Sequence, residues 1–316
     1  MGAEQSVEAT SVQLVHRAKT QPVHPDDPRQ ALHGNEWRGA RIPVDKCVQP
    51  TPSGFLAKSY DSRNLEHWAS KGFSQYGADG IIHKLFSDVN TTNKFFVEFG
   101  VQGGKECNTR RLREACGWSG LLMDGGHENR KINLQRQFIT RENIVTLLDQ
   151  NSVPRALDLL SVDIDGNDFH VLNAILHAGY RPRVVIVETN FDLPEGYDAT
   201  IRYAPTFVGY TNQRSPRACY HSASVNAFLQ LARRYQYSIV GAHRPDLYWV
   251  RNDVLQRHGV DAYEGTNDVA VLTMHGKERL QNGSLKPDKC RRHLIDRKGA
   301  VSSMVAIAEW SRLVGS

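Results

Sequence analysis

The sequence predicts an α/β fold: a mostly parallel seven-stranded sheet, covered by helices on both faces and closed by an antiparallel hairpin. Three observations lead there. Near-continuous apolar runs at 95–99, 119–123, 157–163 and 183–189 have the character of parallel strands buried on both faces. Segments of helical spacing separate them, and repeated βα units of this kind build a parallel sheet. Finally, YSIVGA (237–242) and LYWVRN (247–252) are joined by only a few residues, too few for a crossover, so they pair antiparallel.

Taken in order, residues 1–55 are polar and carry Pro22, Pro25, Pro28, Pro43, Pro50 and Pro52, which reads as an extended arm. A domain over 56–255 follows. It opens with two helical pieces. SRNLEHWASKG starts at Ser62 as a cap, with Leu65 and Trp68 on one face. SQYGADGIIHKLF places Ile81, Ile82, Leu85 and Phe86 at helical spacing. The strand at 95–99 precedes a helix near 106–116, and the strand at 119–123 a helix near 128–137. The apolar segment Ile144 to Leu148 is the candidate third strand. LDLLSVD (157–163) leads into the helix DFHVLNAILHAG, and RVVIVET (183–189) follows. Residues 190–222 are irregular and carry Tyr197, Tyr203, Phe207 and Tyr210; a loop of that length in a compact domain usually serves function. The helix SVNAFLQLARRYQ then feeds the closing hairpin. Residues 256–316 read as an extension ending in an amphipathic helix over VSSMVAIAEWSRLV.

With 316 residues and 40% hydrophobic content, the chain can bury a substantial core. Its charge of +5 is spread along the sequence in short clusters such as Arg110-Arg111 and Arg233-Arg234. A solvated surface accounts for these, and nucleic acid is not favoured as a partner. Five scattered cysteines without a CxxC pair read as free thiols in a reducing compartment. No apolar run is long enough to span a bilayer, and the N-terminus lacks the apolar core of a signal peptide. The expected location is therefore cytoplasmic, with a place peripheral to a membrane or within a large intracellular assembly left open. Met1-Gly2-Ala3-Glu4-Gln5-Ser6 fits a short N-myristoylation pattern, but no polybasic cluster follows, so one acyl chain at Gly2 would anchor only weakly.

The chemistry concentrates at the ends of the strands. FFVEFGVQGG (95–104) runs from an apolar strand through Glu98 into Gly100, Gly103 and Gly104, a turn where backbone can approach a ligand. The next strand ends in Asp124, twenty residues beyond Gly104, where an acid can accept both ribose hydroxyls. The turn lacks the tighter Gly-x-Gly-x-x-Gly spacing of nicotinamide sites. A parallel sheet closed by an antiparallel hairpin is Rossmann-like in the manner of class I S-adenosylmethionine-dependent methyltransferases. Glu98, Gly100, Gly103 and Asp124 are the candidate cofactor residues. Asp163, Asp165 and Asp168 cluster at the end of the fourth strand, and Glu188 and Asn190 end the fifth. Asp163, Glu188 and Asn190 are candidate ligands for a hard divalent cation such as Mg. The alternative for Asp165-Gly166-Asn167-Asp168 is turn and cap chemistry. Asp163 and Asp165 are the candidate catalytic carboxylates, with His221 a weaker candidate base. His170, inside a helix, is read as structural.

The segments SQYGADGII, NKFFVEFGVQGGKECNTRRLREACGWSGLLMDG, ALDLLSVDIDGNDFHVLNAIL and RVVIVETN resemble, in order, the motifs of the FkbM-type methyltransferases over about residues 72–255. The resemblance implies a class I methyltransferase fold, S-adenosylmethionine binding and O-methylation of a hydroxyl on a sugar or small molecule. Two positions depart from the pattern. Ala78 stands where those proteins have Glu, and Gly103-Gly104 where they often have Asp-Gly. The departures, with polar extensions at both ends that could order against partner proteins, motivate a second expectation: a methyltransferase-like fold kept as a structural subunit without catalysis.

Overall fold

The computed structural model describes residues 46–47, 65, 68–191, 193, 198–209, 221–258 and 304–306, the last by backbone alone. The strands are β1 (Phe95–Phe99), β2 (Ser119–Asp124), β3 (Leu134–Arg136), β4 (Leu159–Val162), β5 (Val184–Glu188), β6 (Ala199–Ile201), β7 (Tyr237–His243), β8 (Asp246–Arg251) and β9 (Met304–Ala306). The helices are α1 (Ala78–Val89), α2 (Arg110–Ala115), α3 (Ile144–Gln150), α4 (Asp168–His177), α5 (Val225–Arg234) and α6 (Asn252–Arg257). Seven strands form one sheet in the order β3-β2-β1-β4-β5-β8-β7. All neighbours are parallel up to β5, and β8 runs antiparallel to both β5 and β7. Only Arg244 and Pro245 separate β7 from β8, as the short connection requires. This order, with one antiparallel strand inserted next to β5, is the Rossmann-like methyltransferase arrangement.

The strand residues alternate between two apolar layers with the period of a pleated sheet. Val97, Phe99, Leu121, Met123, Leu160, Val162, Val185, Val187, Leu247 and Trp249 pack in one layer with α3, α4 and α5. Phe96, Leu122, Leu159, Val184, Ile186, Tyr248 and Val250 pack in the other with α1, α2 and α6. Among the described residues, helices therefore cover both faces, which is why the central strands read as unbroken apolar runs.

Three local expectations are corrected. Ile144–Gln150 is a helix, not the third strand: Ile144, Leu147 and Leu148 are its buried residues, an i, i+3, i+4 set that faces one side of a helix. The third strand is instead Leu134–Arg136, inside the stretch expected to be helical. There Asn129 caps a single 3-10 turn (Arg130–Ile132), and Asn133 at φ +53° ends it. This edge strand buries only Leu134, so it carries no apolar run to reveal it. In the C-terminal extension, Met304–Ala306 is a strand paired antiparallel with β6, where the amphipathic pattern had suggested helix. The rest of that extension beyond His258, nearly all of residues 1–55, Gly2 and the Ser62 cap lie outside the described residues.

The cysteine reading also changes. Cys47 and Cys116 are disulfide-bonded across 69 residues of sequence, while Cys107 is a buried free thiol. The pair lies outside any local motif because the chain ahead of the domain must return over the end of α2 to form it. Arg111 Nη2 donates to the Lys46 carbonyl at 2.8 Å and fixes that return. No helix among the described residues is long and apolar enough to cross a membrane.

Candidate functional site

The site lies at the carboxyl ends of β1, β2, β4 and β5, where an open α/β sheet binds ligands. Gly100 follows β1 at φ +70°, and a Cβ placed there would lie 1.7 Å from the Asp163 carbonyl oxygen. This glycine is demanded by the close approach of the β1 and β4 ends. Gly104, at φ +73°, is confined by the Ile132 side chain, whereas a Cβ on Gly103 would meet nothing within 4 Å. Of the three glycines, Gly103 is the one that leaves open space beside the turn.

Both candidate cofactor acids are engaged by the protein's own backbone. Glu98 is buried; its Oε1 accepts from Asn108 N at 2.7 Å, and its Oε2 accepts from Thr109 N at 3.0 Å and Thr109 Oγ1 at 2.6 Å. It thereby holds the start of α2. Burial pushes its carboxyl up, and these hydrogen bonds oppose the shift. Asp124 Oδ1 accepts from Gly126 N, His127 N and the His127 ring, while Oδ2, among the described residues, accepts only from Gln102 N at 2.7 Å. A carboxylate oxygen has two lone-pair directions, so Oδ2 keeps one for an incoming donor. Asp79, next to the departure at Ala78, uses Oδ2 to gather Gly72 N, Phe73 N, Ser74 N and Ser74 Oγ. The SQYGADG segment is thus closed on itself ahead of α1.

The second focus is acidic. Asp163, Asp165 and Glu188 each bring a carboxylate oxygen within 4.8 Å of the others. Glu188 is buried, and among the described residues nothing hydrogen-bonds its Oε2; His221 Nδ1 lies 3.8 Å away. Burial first, then the neighbouring carboxylates, pushes Asp163 and Glu188 well above the usual range. The structure adds a residue the sequence reading missed. Asp246 begins β8 directly opposite Glu188 in the antiparallel register, and burial raises its carboxyl to about 7. Only the hairpin register could have revealed it, because nothing near it in sequence is acidic. Burial also raises Tyr76 to about 12, with Asp246, Glu188 and Asp163 adding to the shift.

Two of the expected residues do other work. Asp168 Oδ1 accepts from Ile164 N and Oδ2 from Gly166 N, both at 2.8 Å, so it shapes the turn after β4, the turn half of the alternative reading. Asn190 donates through Nδ2 to the His221 carbonyl at 3.1 Å and through its backbone to Ala223. It secures the segment carrying His221. His170 donates through Nε2 to the Ile201 carbonyl at 2.9 Å, and burial lowers it to about 4, which fits a structural role.

Residues 202–209 lie across this edge. Asn167 Nδ2 donates to the Ala204 carbonyl, the Phe207 ring crowds Gly166, and Gly209 passes against the Asp165 backbone. Tyr203 hydrogen-bonds the Glu142 carboxylate, stacks under the Arg141 guanidinium at 4.0 Å and packs edge-on to His170. Tyr203 and Phe207 are therefore directed into the scaffold. Tyr197 and Tyr210 lie outside the described residues. A surface cavity of about 340 Å³ is bounded by Glu128, Arg130 and Leu134 to Gln137, along the β3 edge.

No family model and no curated protein matches the sequence. Among solved structures, the chain is similar to MycE, a methyltransferase from the mycinamycin biosynthetic pathway, in complex with Mg, SAH and mycinamycin VI. That alignment has 16% identity and a TM-score of 0.36, over 61% of this chain and 55% of that one. A MycE crystal form with Mg and SAH aligns at 16% identity and a TM-score of 0.35, over 66% and 55% of the two chains. The chain thus spans about half the length of that enzyme. The fold assignment rests on strand order and register.

Proposed function

We propose that this chain is an S-adenosylmethionine-dependent methyltransferase of FkbM-like type, acting on a hydroxyl of a sugar or small molecule with a divalent cation such as Mg beside the reacting oxygen. The observation that carries the reading is the convergence of Asp163, Asp165 and Glu188, with Glu188 Oε2 buried and, among the described residues, without a hydrogen bond. Crowded carboxylates with raised proton affinity are a costly arrangement unless something positive joins them. All-oxygen donors suit a hard cation.

In this reading Asp163, Asp165 and Glu188 would hold the cation, which when bound would polarise a substrate hydroxyl. Asp124 Oδ2 would take one ribose hydroxyl of the cofactor. The open side of Gly103 would admit its aminoacyl end, with Glu98 holding the turn from behind. Methyl transfer asks mainly for in-line positioning and exclusion of water. Residues 202–209, laid over Asp165 and Gly166, would supply the exclusion. We place the protein in the cytoplasm and assign partner contacts to 1–55 and 256–316.

A second reading, a methyltransferase-like structural subunit, draws on the backbone donors already gathered around Glu98 and Asp124. Calorimetry on the full chain with S-adenosylhomocysteine, with and without Mg, separates the two. The enzyme reading expects binding that Asp124→Ala weakens at least tenfold, and a Mg effect that Glu188→Gln removes. Absence of binding under both conditions would favour the structural subunit.

A further inference from the structure

Away from the carboxyl edge, a second cluster of ligating side chains joins α1, the end of α2 and the segment before the domain. His83 projects from α1, Cys116 caps α2, and Cys47 comes from the N-terminal segment; one donor atom from each lies within 4.8 Å of the other two. The scaffold beneath is fixed. Cys116 N donates to the Leu112 carbonyl at 3.1 Å, and Trp118 packs edge-on to Phe86, one turn along α1 from His83, with ring centroids 4.8 Å apart. The Arg111–Lys46 hydrogen bond places Cys47 over this junction. Cys116 is buried, His83 half-buried and Cys47 exposed, so reagents reach the cluster from the Cys47 side.

We propose that Cys47, Cys116 and His83 bind a zinc ion when the cysteine pair is reduced, and that oxidation exchanges the zinc for the disulfide. Two thiolates and an imidazole are a soft donor set that selects zinc over Mg or Ca. Tetrahedral zinc, with Zn–S about 2.3 Å and Zn–N about 2.0 Å, needs donor atoms roughly 3.3–3.8 Å apart. The cysteine Cα atoms are 4.9 Å apart and the three donor atoms already lie within 4.8 Å of one another, so the proposed spacing asks for side-chain adjustment and no rearrangement of the elements. Three protein ligands leave the fourth position for water on the exposed side. The exchange balances with a peroxide as oxidant. The two thiolates give up two electrons and form the S–S bond, the O–O bond accepts them with two protons to give two waters, and Zn²⁺ leaves. A dithiol reductant reverses it. Either state ties residue 47 to α2, so only a chain that is reduced and free of zinc releases the tether. This inference does not depend on the methyltransferase reading.

The test uses the full chain, reduced with a dithiol, equilibrated with zinc, stripped of excess and measured by elemental analysis. About one zinc per chain is expected, with at least a tenfold loss of affinity in both Cys116→Ser and His83→Gln, as removal of a ligand predicts. Glu188→Gln, at the other site, should leave zinc unchanged. Peroxide should release the metal while two thiols disappear per zinc. The proposal is overturned if the reduced chain holds no stoichiometric zinc, if a folded His83→Gln variant binds it as tightly, or if zinc stays bound after the thiols are lost. Far-UV circular dichroism identifies which variants fold.

Discussion

Gly100 and Gly103 sit three residues apart in the same turn, yet the structure gives them opposite roles, and a pair of alanine substitutions exposes the difference. At Gly100 the backbone is left-handed (φ +70°), and the new Cβ would stand 1.7 Å from the Asp163 carbonyl oxygen. A non-glycine residue in that region costs about 1–2 kcal/mol. Driving two strand ends apart inside a packed core adds about 1–3 kcal/mol. The sum, about 2–5 kcal/mol, lowers Tm by roughly 5–15 °C for a domain of this size. Gly103 is not left-handed, and its Cβ would meet nothing within 4 Å. Gly103→Ala should therefore leave Tm within about 2 °C, or raise it slightly through the unfolded state. Thermal unfolding followed by far-UV circular dichroism measures both variants. Equal losses at the two positions, or a Gly100→Ala variant as stable as the parent, would refute the reasoning. If Gly103→Ala weakens S-adenosylhomocysteine binding without touching stability, the open side of the turn is where the ligand lies.

Three further outcomes are expected. Asp163, Glu188, Asp168 and Asp246 all hold protons more tightly when folded, so the folded chain binds more protons than the unfolded one. Metal-free stability should then fall as pH rises from the unfolded carboxyl range near ~4 through about 6 for Asp168 and about 7 for Asp246. A pH series of Tm values checks this; Glu188→Gln should flatten the decline and Mg should oppose it at the alkaline end. Asp158 is fully buried and accepts from Thr92 N, Thr92 Oγ1, Asn93 N and Lys94 N while facing Arg183 Nε at 3.3 Å. Asp158→Ala should cost about 3–5 kcal/mol by stranding the Arg183 charge, read as a lower urea midpoint. Tyr203→Phe removes the hydroxyl that reaches Glu142. Amide exchange across 202–209 should quicken with Tm nearly unchanged, and unaltered exchange would show that this hydroxyl does not hold the loop.

The fold was legible because its central strands are buried on both faces. Leu121, Leu160 and Val185 announce themselves as apolar runs, and two intervening residues force the hairpin. β3 was not legible, since an edge strand with one buried residue has no pattern to read, while the helix at Ile144–Gln150 imitates a strand over five residues. At the site, Asp163, Asp165 and Glu188 were identifiable as acids at strand ends. What their neighbours do was not. Sequence cannot say that Glu98 is occupied by Asn108 and Thr109, or that Gly100 is required by Asp163, because both depend on how adjacent elements meet. Asp246 and the Cys47–Cys116 pair are matters of register and long-range return, and neither leaves a local mark.

The position of β8 bears on the order in which the chain can fold. β5, with the sequence VVIVE, pairs with β4 on one side and β8 on the other, and Val184 meets Val250 only after 66 further residues have been made. Until then the most β-prone segment of the domain has an unpaired edge. During synthesis that edge is open while residues 189–245 emerge, a stretch in which non-local closure is slow and strand-to-strand association between chains competes. Arg181 and Arg183 just before the strand and Glu188 at its end place charge on both flanks, the usual protection for such a segment. Truncation within or before β8 should therefore yield aggregates rather than a smaller soluble sheet.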